Sequence, residues 1–128
     1  MSIYDQVAQL FKRDIAVLMQ KDKDYGSSWK RRGGAGAFMM AARKWDRIEN
    51  IVVAAKYDVF AAGEANTGDI LDDIADLRNY LFLIEAEIVQ RKQSLIQQSN
   101  NKTRCFYGEQ VTVKLDGSEP GAGYVNQG

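Results

Sequence analysis

Residues 68–90 read GDILDDIADLRNYLFLIEAEIVQ. Ile70, Ile74, Leu77, Leu81, Ile84 and Ile88 recur at spacings of four and three, one apolar stripe at the helical period. At roughly 100° per residue, Asp69, Asp73, Asp76, Tyr80 and Glu87 fall on one flank of that stripe, and Asp72, Asn79 and Leu83 continue it further out. A packing helix needs the stripe and has no use for carboxylates crowded beside it, because like charges three or four residues apart repel. An acidic first turn suits the helix dipole and accounts for Asp69, Asp72 and Asp73. It leaves Asp76, two turns in, unexplained. A divalent cation held by oxygens at i and i+3 or i+4 would relieve the repulsion. The plain alternative is a solvated acidic turn with one stray Asp.

The other segments arrange themselves around this helix. Ser2 to Gln20 reads as a first helix with a Ser2/Asp5 capping box and an apolar face of Val7, Leu10, Phe11, Ile15 and Leu18. Ala37 to Ala62 reads as a second, with Ala41, Trp45, Ile48, Val52, Ala55 and Val59 in its stripe. Lys44 and Arg47 flank that stripe on one side, Asp46 and Glu49 on the other. Either flank can face the acidic helix. Gly63 to Gly68 suits a short antiparallel connection. The third helix is expected to run to about Gln97. Beyond it, Phe106, Tyr107, Val111, Val113 and Leu115 suggest strands, with Asp116-Gly117 as a turn. The expected architecture is all-α: an antiparallel helix bundle over 1–98, with a C-terminal extension over 99–128 carrying a short β-hairpin. Three helices cover two such stripes poorly, so a homo-oligomer, dimer or tetramer, is expected.

Composition removes several function classes. Lys plus Arg and Asp plus Glu both number 17, so the chain is formally neutral and carries no general nucleic-acid signature. No apolar run reaches membrane-spanning length. With a single cysteine, Cys105, and no signal-peptide pattern, a cytoplasmic setting is expected. There is no histidine, which excludes imidazole bases and most zinc sites. Any catalysis falls to carboxylates, lysines or a metal-bound water.

Between the first two helices lies KDKDYGSSWKRRGGAG, residues 21–36, with five Lys or Arg, four Gly and the aromatics Tyr25 and Trp29. Lys23, Lys30, Arg31 and Arg32 can neutralise phosphate, while Tyr25 and Trp29 can stack on a base. The plain alternative is a flexible basic loop whose Trp29 packs on the bundle. GGAG is no P-loop, since it lacks the Gly-Lys-Ser/Thr ending and a preceding strand.

Two motifs together resemble a known family: Tyr25-Gly26-Ser27-Ser28-Trp29 after Lys23 and Asp24, and the pair Lys44/Arg47 followed by Asp72, Asp76, Asn79 and Tyr80. Over about half the chain it is similar to the phage and bacterial nucleotide modification associated domain 1 group. That group is related to the all-α pyrophosphohydrolases of the MazG and dimeric dUTPase type. The resemblance implies Mg²⁺ (or Mn²⁺) held by a carboxylate pair on each of two helices, and cleavage of a nucleoside triphosphate to monophosphate and pyrophosphate. Asp73 and Asp76 resemble the second pair, and Asp46 and Glu49 stand where the first would be. Tyr80 matches a position that holds base or sugar in related enzymes, and Asn79 is a natural base or ribose partner. On this reading Asp73, Asp76 and Glu49 are catalytic; Asp72, Asp73, Asp76, Glu49 and Asp46 are metal ligands; and Lys44, Arg47, Lys30, Arg31, Arg32 and Lys23 bind phosphate. If the basic flank of the second helix faces the site, metal rests on Asp72, Asp73 and Asp76, and Lys44 and Arg47 clamp phosphate. If the acidic flank does, two metals become possible. The alternative function is a nucleotide-sequestering protein without turnover, and the third reading is a structural bundle.

Overall fold

A computed structural model describes backbone through Tyr107 and side chains through Lys102. The described residues form four α-helices and a 3-10 turn: α1 (Ile3–Tyr25), the turn Ser28–Lys30, α2 (Gly33–Ala54), α3 (Val59–Ala65) and α4 (Thr67–Tyr107). Tertiary contacts divide the chain into Met1–Glu85 and Ala86–Gly128.

Each boundary has a local cause. The Ser2 hydroxyl accepts from the Asp5 N–H at 3.1 Å and the Asp5 carboxylate accepts from the Ser2 N–H at 3.0 Å, the expected capping box. α1 does not stop at Gln20. Polar residues 21–24 contain no helix breaker, and the helix runs to Gly26, whose φ of 58° and ψ of −145° favour glycine. Lys23 and Tyr25, read as loop residues, are therefore helical.

The expected second helix over 37–62 is also redrawn. α2 starts at Gly33 and ends at Ala54. Lys56 and Tyr57 then take φ of 57° and 67°, and Asp58 caps α3 by accepting from the N–H groups of Phe60 and Ala61. Gly63 and Gly68, read as a connection, lie inside α3 and α4. α4 extends past Gln97 and takes in Phe106 and Tyr107, which were read as strand. The rest of the expected hairpin lies at 108–128, outside the described residues.

Contacts from α1 to α4 descend in order: Phe11 to Phe82, Asp14 to Arg78, Lys21 to Asp76. Those from α2 do the same, Lys44 to Asp76 and Arg47 to Asp73. Both sets have the sense of antiparallel packing. Among the described residues the buried apolar side chains are Ala37, Ala41, Ile48, Ala62 and Ile70. Val7, Phe11, Ile15, Trp45 and Leu81, all assigned to core stripes from their spacing, are exposed. No described helix is long and apolar enough to cross a membrane.

Candidate functional site

On α2, Ala37, Ala41 and Ile48 are buried. The flank of α2 that meets the acidic flank of α4 is the basic one. Arg47 Nε lies 3.0 Å from both carboxylate oxygens of Asp73. Lys44 Nζ lies 2.9 Å from Asp76 Oδ2 and 3.5 Å from Asp73 Oδ1. From α1, Lys21 Nζ reaches Asp76 Oδ1 at 3.3 Å. Three cations and two carboxylates thus form one network joining three helices.

The two carboxylates differ in setting. Asp73 is 1% exposed, so its charge depends on Arg47 and Lys44. The Asp76 side chain is 31% exposed. Burial pushes the Asp76 carboxyl up, but the Lys44 hydrogen bond and the charges of Lys21 and Lys44 outweigh it and hold the group below the ordinary carboxylate value. The Lys44 ammonium is held above the ordinary lysine value, chiefly by its hydrogen bond to Asp76.

Beside Asp76 opens a cleft of about 200 Å³. Its wall includes Tyr25 and Gly26 from the end of α1, Trp29 from the 3-10 turn, and Asn79 and Tyr80 from α4. All four residues read from sequence as base or sugar partners therefore line one cavity, together with Lys21 and Asp76. Asn79 is 5% exposed, and among the described residues its Oδ1 has no hydrogen-bond partner. A buried carboxamide oxygen left unpaired costs about 1–3 kcal/mol, a deficit that a ligand donor would remove.

The remaining candidates are placed elsewhere. Asp46, Glu49, Asp72 and Lys23 are exposed and take no part in the cleft lining. Arg31 and Arg32 are exposed at the start of α2. Lys30 Nζ stands 5.8 Å from the centre of the Trp29 ring, a cation–π contact at the mouth-forming turn. Among the described residues no group of three or more acidic or cysteine side chains is disposed to hold a metal ion. Asp73 and Asp76 nevertheless converge on one point, the position of the Lys44 ammonium.

Sequence reasoning missed Lys21 and the buried pair of Asp14 and Arg78. Asp14 is 1% exposed, takes Arg78 Nη2 at 2.9 Å and Arg78 Nε on its other oxygen, and lies 3.6 Å from Arg13. The Arg78 hydrogen bonds hold its carboxyl below the ordinary value against the opposing effect of burial. The signal was present: Leu10, Asp14 and Leu18 are spaced by four, which puts a charge within the apolar face of α1.

Comparison of the chain with protein-family models, with curated proteins and with solved structures finds no match.

Proposed function

We propose that the cleft binds a nucleotide and that the chain is a Mg²⁺-dependent nucleoside triphosphate pyrophosphohydrolase, yielding nucleoside monophosphate and pyrophosphate. The observation that carries this reading is the gathering of Tyr25, Trp29, Asn79 and Tyr80 around one cavity whose edge bears Asp76. Aromatic faces bind a base by stacking, and a carboxamide pairs with a base edge through one donor and one acceptor. The unpaired Asn79 Oδ1 supplies the acceptor. Lys21, Lys44 and Arg47 supply phosphate-neutralising charge.

The donor set suits a hard cation. Asp73 and Asp76 already direct oxygens at one ammonium, and Mg²⁺ is commonly held by one or two carboxylates plus waters and substrate phosphates. Asp73 and Asp76 would hold it, with Asp72 on the exposed side. When bound, the ion polarises the phosphates and lowers the pKa of a coordinated water. This chain's own residues do the rest. The aromatics and Asn79 fix the base, the cations screen the polyphosphate, and the Asp76 carboxylate accepts a proton from water as it adds to the α-phosphorus. The bond to the β-phosphate breaks, and pyrophosphate leaves with its electron pair. Asp46 and Glu49 take no part in this reading.

One observation favours a second reading, nucleotide binding without turnover: Asp73 and Asp76 have cationic partners within the chain itself. The test incubates the chain with each common NTP and dNTP in Mg²⁺ or Mn²⁺ and separates the products by ion-pair chromatography. Monophosphate plus pyrophosphate, lost in EDTA, supports the hydrolase. Intact nucleotide that is retained on the protein in EDTA supports the binder. Failure to retain any nucleotide overturns the cleft assignment.

A further inference from the structure

The cleft beside Asp76 carries one charged residue that the nucleotide reading leaves unused, Asp22 of α1. Lys21, Asp22 and Tyr25 share one face of α1, and Asp76, Asn79 and Tyr80 share one face of α4, at the helical spacings of three and four; all six line the cleft. Asp22 is exposed, and among the described residues its carboxylate has neither an ion pair nor a hydrogen bond. The lining therefore holds two carboxylates, Asp22 and Asp76, against one ammonium, that of Lys21, which Asp76 engages at 3.3 Å. A cavity with this balance of charge disfavours phosphate. Lys44 and Arg47, which do not line it, mark the place of the polyphosphate, and the base is the part of the nucleotide that enters.

We infer that the cleft selects bases with an exocyclic amino group, adenine, cytosine and guanine, over uracil and thymine, and that Asp22 makes the distinction. The inference rests on the nucleotide reading of this cleft. Two acceptors in the lining have no donor among the described residues: the Asp22 carboxylate and the buried Asn79 Oδ1. An ionised carboxylate can only accept, whereas the hydroxyls of Tyr25, Ser28 and Tyr80 turn to donate or accept and so do not discriminate. An amino-bearing base offers at least two N–H bonds, one for each acceptor. Uracil and thymine, joined to the sugar, offer one N–H flanked by two carbonyl oxygens. Given to Asn79 Oδ1, that N–H leaves carbonyl oxygen against the Asp22 carboxylate, acceptor against acceptor. Given to Asp22, it leaves Asn79 Oδ1 buried and unpaired. Either way the keto bases lose affinity, because a site built of acceptors rejects a ligand short of donors.

The test is isothermal titration calorimetry of the full chain in Mg²⁺ with the α,β-imido analogues of dATP, dCTP, dGTP, dUTP and dTTP, which resist cleavage at that bridge. The amino-bearing analogues are expected to bind about tenfold tighter than those of dUTP and dTTP, the effect of one acceptor left without its donor. Asp22→Asn puts a donor where the carboxylate stood and is expected to bring the two groups within about threefold of each other, chiefly by tightening the uracil and thymine analogues. Circular dichroism controls for folding, which the exposed position of Asp22 spares. Equal affinity for all the analogues, or tighter binding of the uracil analogue, overturns the inference and leaves the nucleotide reading standing. A preference that Asp22→Asn leaves unchanged overturns the assignment to Asp22. Binding of no analogue overturns the nucleotide reading, and this inference with it.

Discussion

Asp73 and Asp76 sit one turn apart on α4 and share Lys44, so their separate replacement by asparagine measures what each contributes. Asp73→Asn keeps the shape but removes a buried anion whose oxygens take Arg47 Nε at 3.0 Å and Lys44 at 3.5 Å. Hydrogen bonds to a charged group contribute about 1.5–3 kcal/mol each. Arg47 is 62% exposed and rehydrates when its partner goes, which trims the loss. Lys44 keeps Asp76. The expected cost of Asp73→Asn is therefore about 2–4 kcal/mol in urea denaturation followed by circular dichroism. Asp76→Asn removes a partly exposed carboxylate from two lysines, and such pairs contribute about 0–1 kcal/mol. On the proposed function it abolishes turnover while the fold persists. Equal destabilisation by the two substitutions refutes this division, and so does an Asp73→Asn chain as stable as wild type. An Asp76→Asn chain that retains full turnover refutes the catalytic assignment alone.

Three further outcomes are expected. Trp29→Ala and Tyr25→Ala each remove a stacking surface, so nucleotide affinity falls by roughly tenfold to hundredfold, as read by isothermal titration calorimetry; unchanged affinity removes the base from this cleft. Acid stability follows from three carboxyls held low in the folded state, Asp5, Asp14 and Asp76. Their contribution is full above the unfolded value of about 3.9 and is lost as pH falls through their folded values, so urea midpoints stay level above about pH 5 and decline below it; Lys44→Met, by removing the hydrogen bond that holds Asp76 low, makes that decline smaller. Gly26→Ala forces a side chain into a backbone region that glycine tolerates and costs about 1–3 kcal/mol by denaturant unfolding, although among the described residues no atom beyond its chain neighbours lies within 4 Å of the added methyl.

What sequence could and could not show follows physical lines. The helical class and the Ser2/Asp5 cap were legible because periodicity and capping are local. The division of the long second helix was not, because the residues that turn the chain, Lys56 and Tyr57, are not the glycine or asparagine that usually mark positive φ. The polar run 21–24 looked like a loop by composition, yet only Gly26 stops the helix. Tyr25 and Trp29 were chosen by their stacking chemistry and Asn79 and Tyr80 through the family resemblance, and all four line one cleft. Lys21 went unnoticed because only tertiary packing brings α1 to Asp76. The same holds for the choice between the two flanks of α2: both border the stripe, and only the tertiary ion pairs of Lys44 and Arg47 with Asp76 and Asp73 show which one faces α4.

The resulting arrangement has a consequence for how a polyphosphate would be met. Lys21, Lys44 and Arg47 against Asp73 and Asp76 leave the network one positive charge in excess, a mild attraction for an anion. Each cation that turns to a phosphate oxygen uncovers carboxylate oxygen. Asp73, being buried, cannot be left bare without a large penalty, and Arg47 remains the cation best placed to keep it paired. Lys44 and Lys21 have the greater freedom, because the oxygens they release on Asp76 are partly hydrated. On the proposed function, phosphate and divalent cation therefore strengthen one another's binding at Asp76, through exchange of lysine for metal. Lys44→Met separates that coupling from simple charge loss. It should weaken nucleotide binding yet strengthen the binding of Mn²⁺ alone, measured by electron paramagnetic resonance. Weakening of both would mean that Lys44 does not share its place with a cation.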